Sequence, residues 1–263
     1  MKKKSKILLF LKLPPPITGA TLMNRYLYES KVLAEKFDIQ VISICYKSKI
    51  EDTSIFSFRK IRTILILYFK LIKSLTKFNP QFVYFQISPL GVAFFRDCIY
   101  VFILKIFRIH IVYHIHGKGI KEYISGSKLK ELIYKWAFKS SSVICLAESL
   151  TSDIFPIYLQ QPFIVNNAIP LIKNFVYSRR VNKYLVHILF LSNLIISKGI
   201  YVFLDAISLI DKKFSGLISA SIVGSEVEIS GIELNDEINK RNLNHCVKFM
   251  GPKYGNEKNE IYS

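Results

Sequence analysis

Short apolar runs alternate with amphipathic stretches along the whole chain, and this alternation restricts the fold more than any other feature. A buried strand needs a short continuous apolar run, and a helix needs apolar residues every three or four positions. The alternation therefore reads as βαβ units around a parallel sheet. Strands are expected at 7–13, 39–46, 82–86, 109–116, 143–146 and 163–165. Helices are expected between them at 22–36, 59–78, 91–106 and 128–139. The helix at 59–78 is expected to bury Ile61, Leu65, Tyr68, Ile72 and Leu75. Asn79-Pro80 stops it.

The prolines at 156, 162 and 170 and the polar stretch 174–183 interrupt this pattern, which then restarts. Strands at 187–191, 217–223 and 247–249 alternate with helices at 200–211 and 233–241. The fold class is α/β, with two domains: 1–175, and 176–263, the latter one mononucleotide-binding-like βαβαβ half. The last residues, 257–262, read as a helix on which the chain stops, so the second domain is expected to be incomplete.

Composition excludes several classes. At 51% apolar residues the 263-residue chain is not disordered, and 11 glycines are too few for collagen. Charge is uneven: residues 1–170 carry 25 basic and 10 acidic side chains, residues 171–263 carry 12 and 9. A basic half attracts anionic lipid headgroups, phosphorylated ligands or nucleic acid. Cys45, Cys98, Cys145 and Cys246 are widely spaced in apolar runs without a C-x-x-C pair, and read as buried reduced thiols of a cytosolic protein. The Lys-rich start runs into Pro14-Pro15-Pro16 without a small-residue cleavage site, so it is not read as a signal peptide. No window reaches about 18 uncharged apolar residues, the length of a membrane span.

Three motifs carry chemistry. The first strand ends in Pro14-Pro-Pro-Ile-Thr-Gly-Ala and then a helix, directing backbone N–H groups towards the crevice where α/β sheets bind ligands; Gly19 permits a close approach. An ordinary βα turn is an equal reading of that motif alone. In Tyr113-His-Ile-His-Gly-Lys118, His114 and His116 point to one face of a strand near its C-terminal end. A metal there would need a third ligand, and none is placed nearby. In Phe190-Leu-Ser-Asn-Leu-Ile-Ile-Ser-Lys-Gly199 a strand and a short loop lead to Lys198-Gly199 opening a helix, where dipole and ammonium together suit a diphosphate. A plain surface lysine is the competing reading.

Taken in order, PPPITGA, YHIHG, Asn166-Asn-Ala-Ile-Pro170, LSNLIISKG, SIVGS and VKFMGP resemble the family 4 retaining nucleotide-sugar glycosyltransferases of the GT-B fold. The resemblance implies two Rossmann-like domains with parallel sheets, the first binding the acceptor and the second the sugar nucleotide. It implies a catalytic His116 near the transferred sugar, Gly19 beside the donor phosphates, Lys198 on the pyrophosphate and Gly224 near the nucleotide. Where the family has Gly-Arg this chain has Ser192-Asn193, so Asn193 brings a hydrogen bond but no charge to the donor. The family's Glu-x7-Glu segment would follow the last helix, which implies a truncated chain.

The implied activity moves a sugar from a UDP- or GDP-sugar to a hydroxyl of a saccharide or lipid-linked saccharide, with retention and with no metal or other cofactor. The implied setting is polysaccharide biosynthesis for the cell envelope, in the cytoplasm or on the inner face of the cell membrane. Basic residues Arg59, Lys60, Arg62, Lys70, Lys73 and Lys77 on one helix fit an anionic membrane surface. Two other readings remain: a remnant impaired in catalysis, and a basic nucleic-acid-binding module. The second is disfavoured because the 36 aromatics lie inside apolar strands and helices.

Overall fold

The structure, a computed structural model, describes residues 4–15, 17–44, 58–169 and 185–261. Cys45, the polar connector 174–183 and the expected domain boundary at 175/176 lie outside the described residues. The chain divides into two compact units, Met1–Ile169 and Pro170–Ser263.

The first unit contains β1 (Ser5–Leu11), α1 (Gly19–Tyr28), α2 (Lys31–Lys36), β2 (Phe37–Ser43), α3 (Phe58–Lys73), β3 (Phe82–Phe85), α4 (Gly91–Ile106), β4 (His110–Ile115), α5 (Ile120–Ile124), α6 (Lys128–Phe138), β5 (Ser142–Cys145), α7 (Thr151–Ile154) and β6 (Phe163–Ile164). Its six strands are all parallel, in the order β2-β1-β3-β4-β5-β6. Both faces of β1 are covered, which is why it reads as one unbroken apolar run. Leu8 and Phe10 pack with Leu71 of α3, Phe94 of α4 and Phe138 of α6, while Ile7, Leu9 and Leu11 face the side of Leu27 in α1.

The second unit contains β7 (Val186–Leu191), α8 (Ile200–Phe214), β8 (Ile218–Val223), α9 (Gly231–Lys240), β9 (Val247–Phe249) and α10 (Gly255–Ile261). Its sheet is parallel, in the order β7-β8-β9. Leu204 and Ile207 of α8 and Leu234 and Ile238 of α9 meet Ala220 and Ile222 of β8 in a separate core.

Three expectations need correction. The stretch 22–36 is two helices, because Ser30 caps a new one, its Oγ accepting from the Leu33 N–H at 3.4 Å. Of the periodic positions in the 59–78 segment, Leu75 is buried and Tyr68 and Ile72 pack against the core, but Leu65 is 52% exposed and Leu67 and Leu71 are the buried residues of α3; a π-helical turn at Ser74–Phe78 closes the helix. Apolar residues occupy several faces of this helix, so spacing alone did not select the inward one. The short helices α5 and α7 were not expected. No described helix is long and apolar enough to cross a membrane.

Candidate functional site

In a parallel sheet, loops at the C-terminal strand ends line the ligand crevice. In the first unit the loop after β1 contains a cis Pro14–Pro15 bond and ends at Thr18, the cap of α1. Thr18 Oγ1 accepts from the Thr21 N–H at 3.2 Å, and Thr21 Oγ1 accepts from the Thr18 N–H at 2.8 Å. This reciprocal box fixes where α1 starts. Gly19 is the first residue of α1, with an ordinary φ and open space where a Cβ would stand. Local strain therefore does not demand a glycine there.

Behind this loop lies a polar row. Asn24 Nδ2 donates to the Lys12 carbonyl at 2.7 Å and to Gln86 Oε1. Lys12 Nζ donates to Ser88 Oγ at 3.1 Å, and Arg96 Nη2 approaches the same hydroxyl at 3.3 Å. Buried Asp97 pairs with Arg96 at 2.7 Å and accepts the Ser88 N–H at 2.8 Å.

His116 immediately follows β4, its ring 4.2 Å from that of His114. Burial lowers the pKa of both, and His116 lowers that of His114 further, to about 4, so both rings are neutral at pH 7. The loop bearing His116 is pinned from two sides. A Cβ on Gly117 would stand 2.8 Å from the Pro89 ring. The Asp153 carboxylate accepts the N–H groups of Gly119, Ile120 and Lys121 at 2.9, 3.1 and 3.1 Å. Asp153 thus serves as a remote cap for α5; a cap lying 32 to 34 positions away has no local signature.

In the second unit the loops after β7, β8 and β9 converge. The Ser192 N–H donates to the Val223 carbonyl at 3.0 Å, the Gly224 N–H to Gly251 at 3.1 Å and the Leu194 N–H to Ser225 at 2.8 Å. A Cβ on Gly224 would lie 1.7 Å from the Ser192 carbonyl oxygen and 3.1 Å from Asn193 Cα. Gly224 and Asn193 are therefore brought together by backbone contact. The Asn193 carbonyl accepts the Ile195 N–H at 2.9 Å.

Lys198-Gly199 opens α8 as the sequence led us to expect, with Gly199 as the cap of the helix. A 3-10 turn, Ile196–Lys198, comes first, Gly199 takes φ 81°, and α8 starts at Ile200. Lys198 is exposed, and among the described residues no carboxylate lies within ion-pair distance. A cation just before a helix N-terminus adds to the positive end of its dipole, an arrangement suited to an anion. At the opposite edge of this sheet Asp211, His245 and Cys246 bring ligand atoms within 4.8 Å of one another, a cluster that sequence spacing did not reveal.

No family model and no curated protein matches the sequence. Solved structures do. Anabaena HepE in complex with UDP-glucose aligns with a TM-score of 0.60 at 14% identity, covering 94% of this chain and 69% of that one. A glycosyltransferase from Rickettsia africae aligns at 0.58 and 16% identity, over 98% of this chain and 70% of that one. The lipopolysaccharide outer core galactosyltransferase WaaB aligns at 0.56 and 13%, over 94% and 68%. The fold is of the GT-B glycosyltransferase type. Within that GT-B frame, His116 and Gly19 belong to the six-stranded unit, and Asn193, Lys198 and Gly224 to the three-stranded one.

Proposed function

We propose that this chain is a retaining glycosyltransferase of the family 4 type. It moves a sugar from a UDP- or GDP-sugar to a hydroxyl of a saccharide or lipid-linked saccharide acceptor. The observation that carries the reading is the strand-end convergence of the second unit: three loops locked together beside the N-terminus of α8, with an uncompensated Lys198 just ahead of it. HepE binds UDP-glucose at comparable fold similarity, which supports a sugar-nucleotide donor.

In such a reaction the anomeric C–O bond to the nucleoside diphosphate breaks, and the acceptor hydroxyl attacks from the same face. Negative charge develops on the leaving β-phosphate, so stabilisation by Lys198 and the α8 N-terminus is stronger in the transition state than in the ground state. Two unit charges about 4 Å apart attract by about 4 kcal/mol at an effective dielectric of 20, enough to matter for the barrier. Asn193 adds a neutral amide where the family 4 pattern it resembles has a guanidinium, and Gly224 keeps the nucleotide-side loop against β7. His116 contributes a neutral ring to the transferred sugar, and Gly19 leaves room for the donor phosphates. No step requires a metal.

The acceptor side faces an anionic membrane surface in this reading. Exposed Lys70, Lys73 and Lys77 lie on the α3 segment together with exposed Leu65, Ile66 and Phe69, a mixed cationic and apolar face that suits lipid headgroups. The test is calorimetric titration with UDP-glucose, UDP-N-acetylglucosamine and GDP-mannose, followed by NMR of the anomeric configuration of any product. Saturable binding and a retained configuration support the reading; an inverted product or a protein that binds only oligonucleotide rejects it.

A further inference from the structure

Three buried polar atoms on the α1 side of the six-stranded sheet, at its C-terminal edge, have no hydrogen-bond partner among the described residues: Asn24 Oδ1, His114 Nε2 and His116 Nε2. The positions are contiguous. Asn24 bonds Gln86, the β3–β4 register Phe85↔Tyr113 carried one step further sets Gln86 beside His114, and the His114 and His116 rings touch. Asn24 is 1% and His114 8% exposed. An unsatisfied buried polar group costs about 1–3 kcal/mol, so three together call for a partner from outside the chain, a ligand or an ordered water.

The hydrogen placement can be derived. Among the described residues the Tyr84 hydroxyl has the Nδ1 of His114 as its hydrogen-bond partner and no other. Burial raises the Tyr84 pKa, so the phenol keeps its proton, and the His114 ring is neutral. Were Nδ1 protonated, it would donate to the phenol oxygen and leave both the Tyr84 hydrogen and the Nε2 lone pair unmet. With the phenol donating to Nδ1, the proton resides on Nε2 and a single group is unmet, an N–H at the strand end. The second arrangement is lower in energy by one buried hydrogen bond.

We infer that His114, held as its Nε2–H tautomer by the Tyr84 phenol, is a second hydrogen-bond donor to a sugar hydroxyl beside His116. The inference rests on the proposed glycosyl transfer and names a recognition residue for it. The ligand class follows from the atoms. Neutral rings and an amide oxygen offer a donor and acceptors but no charge, which suits a polyol whose hydroxyls both give and accept, and does not suit a phosphate.

The experiment is long-range ¹H–¹⁵N NMR of the full chain labelled at histidine, with His114→Gln assigning the signal. Expected is a ring unprotonated at Nδ1 and protonated at Nε2, whose Nε2 signal moves with UDP-glucose, UDP-N-acetylglucosamine or GDP-mannose but not with UDP or GDP. Tyr84→Phe should mix the two tautomers and weaken sugar-nucleotide binding about fivefold to tenfold while leaving UDP or GDP affinity unchanged. His114→Gln, which keeps an amide donor near the Nε2 position, should bind more tightly than His114→Asn. A His114 protonated at Nδ1, or an Nε2 signal unmoved by all three sugar nucleotides while UDP or GDP binds, overturns the inference. Failure to bind either nucleotide overturns the glycosyl-transfer reading itself and this inference with it.

Discussion

The carbonyl oxygen of Ser192 stands 1.7 Å from the point a Cβ on Gly224 would occupy. No side chain can fit there without displacing the backbone of either loop. Gly224→Ala should therefore cost about 2–3 kcal/mol of stability through overpacking. Because the displaced loop also carries Asn193, nucleotide affinity should fall in parallel. Urea unfolding and calorimetry on the same variant check this; unchanged stability would mean that the two loops are not in contact.

Lys198 is exposed and lacks a carboxylate partner among the described residues, so removing it should leave folding intact. Lys198→Ala should lower kcat/KM by roughly 10²–10³, as loss of a transition-state donor does. Urea midpoints for the two proteins should coincide. Steady-state kinetics decide it: an unaltered rate would remove Lys198 from the reaction.

The two histidines give a signed pH dependence. Their folded-state pKa values are depressed, so between the unfolded value of 6.5 and the folded one the unfolded chain binds more protons. Stability is therefore fully present above pH 6.5 and is lost as pH falls below it, for His114 towards 4. For His114 the fall to about 4 corresponds to about 3 kcal/mol at most. Denaturant midpoints from pH 7.5 to 4.5 should decline for the wild type and decline less for His114→Gln. Equal slopes in the two proteins would contradict buried neutral imidazoles.

How much of this was readable in the residues themselves depended on distance along the chain. Helix α4 was expected at 91–106 and is found at Gly91–Ile106, because its apolar residues are adjacent in sequence and only Arg96, Asp97 and Lys105 interrupt them. Strand β9 was equally legible. The break between α1 and α2 was written in Ser30, but the apolar rhythm continued across it and hid the cap. Helices α5 and α7 were invisible: four or five residues show no period, and α5 is fixed by the carboxylate of Asp153 from far along the chain. The candidate site divided the same way. Lys198-Gly199 and the His114/His116 pair were readable as local patterns. The Ser192–Gly224 contact, the Tyr84–His114 bond and the Lys12–Ser88–Arg96 row exist only once strands distant in sequence lie side by side.

The outer face of α3 and α4 yields the last prediction. Helices α3 and α4 contact each other; α3 exposes Leu65, Ile66 and Phe69, and α4 exposes Ile99, Phe102 and Ile106. Apolar side chains alone would bind neutral and anionic bilayers alike; the exposed Lys70, Lys73 and Lys77 are what make the lipid charge matter. Each basic residue near an anionic surface contributes about 1 kcal/mol, so replacing these three by glutamine should weaken binding by about 3 kcal/mol, more than a hundredfold. Phe69→Ser with Phe102→Ser should instead weaken binding to both kinds of vesicle. Flotation with phosphatidylcholine vesicles, with and without phosphatidylserine, separates the two contributions, and high salt should abolish only the first. Equal recovery on both vesicle types by the wild type would show that this face does not dock on an anionic membrane.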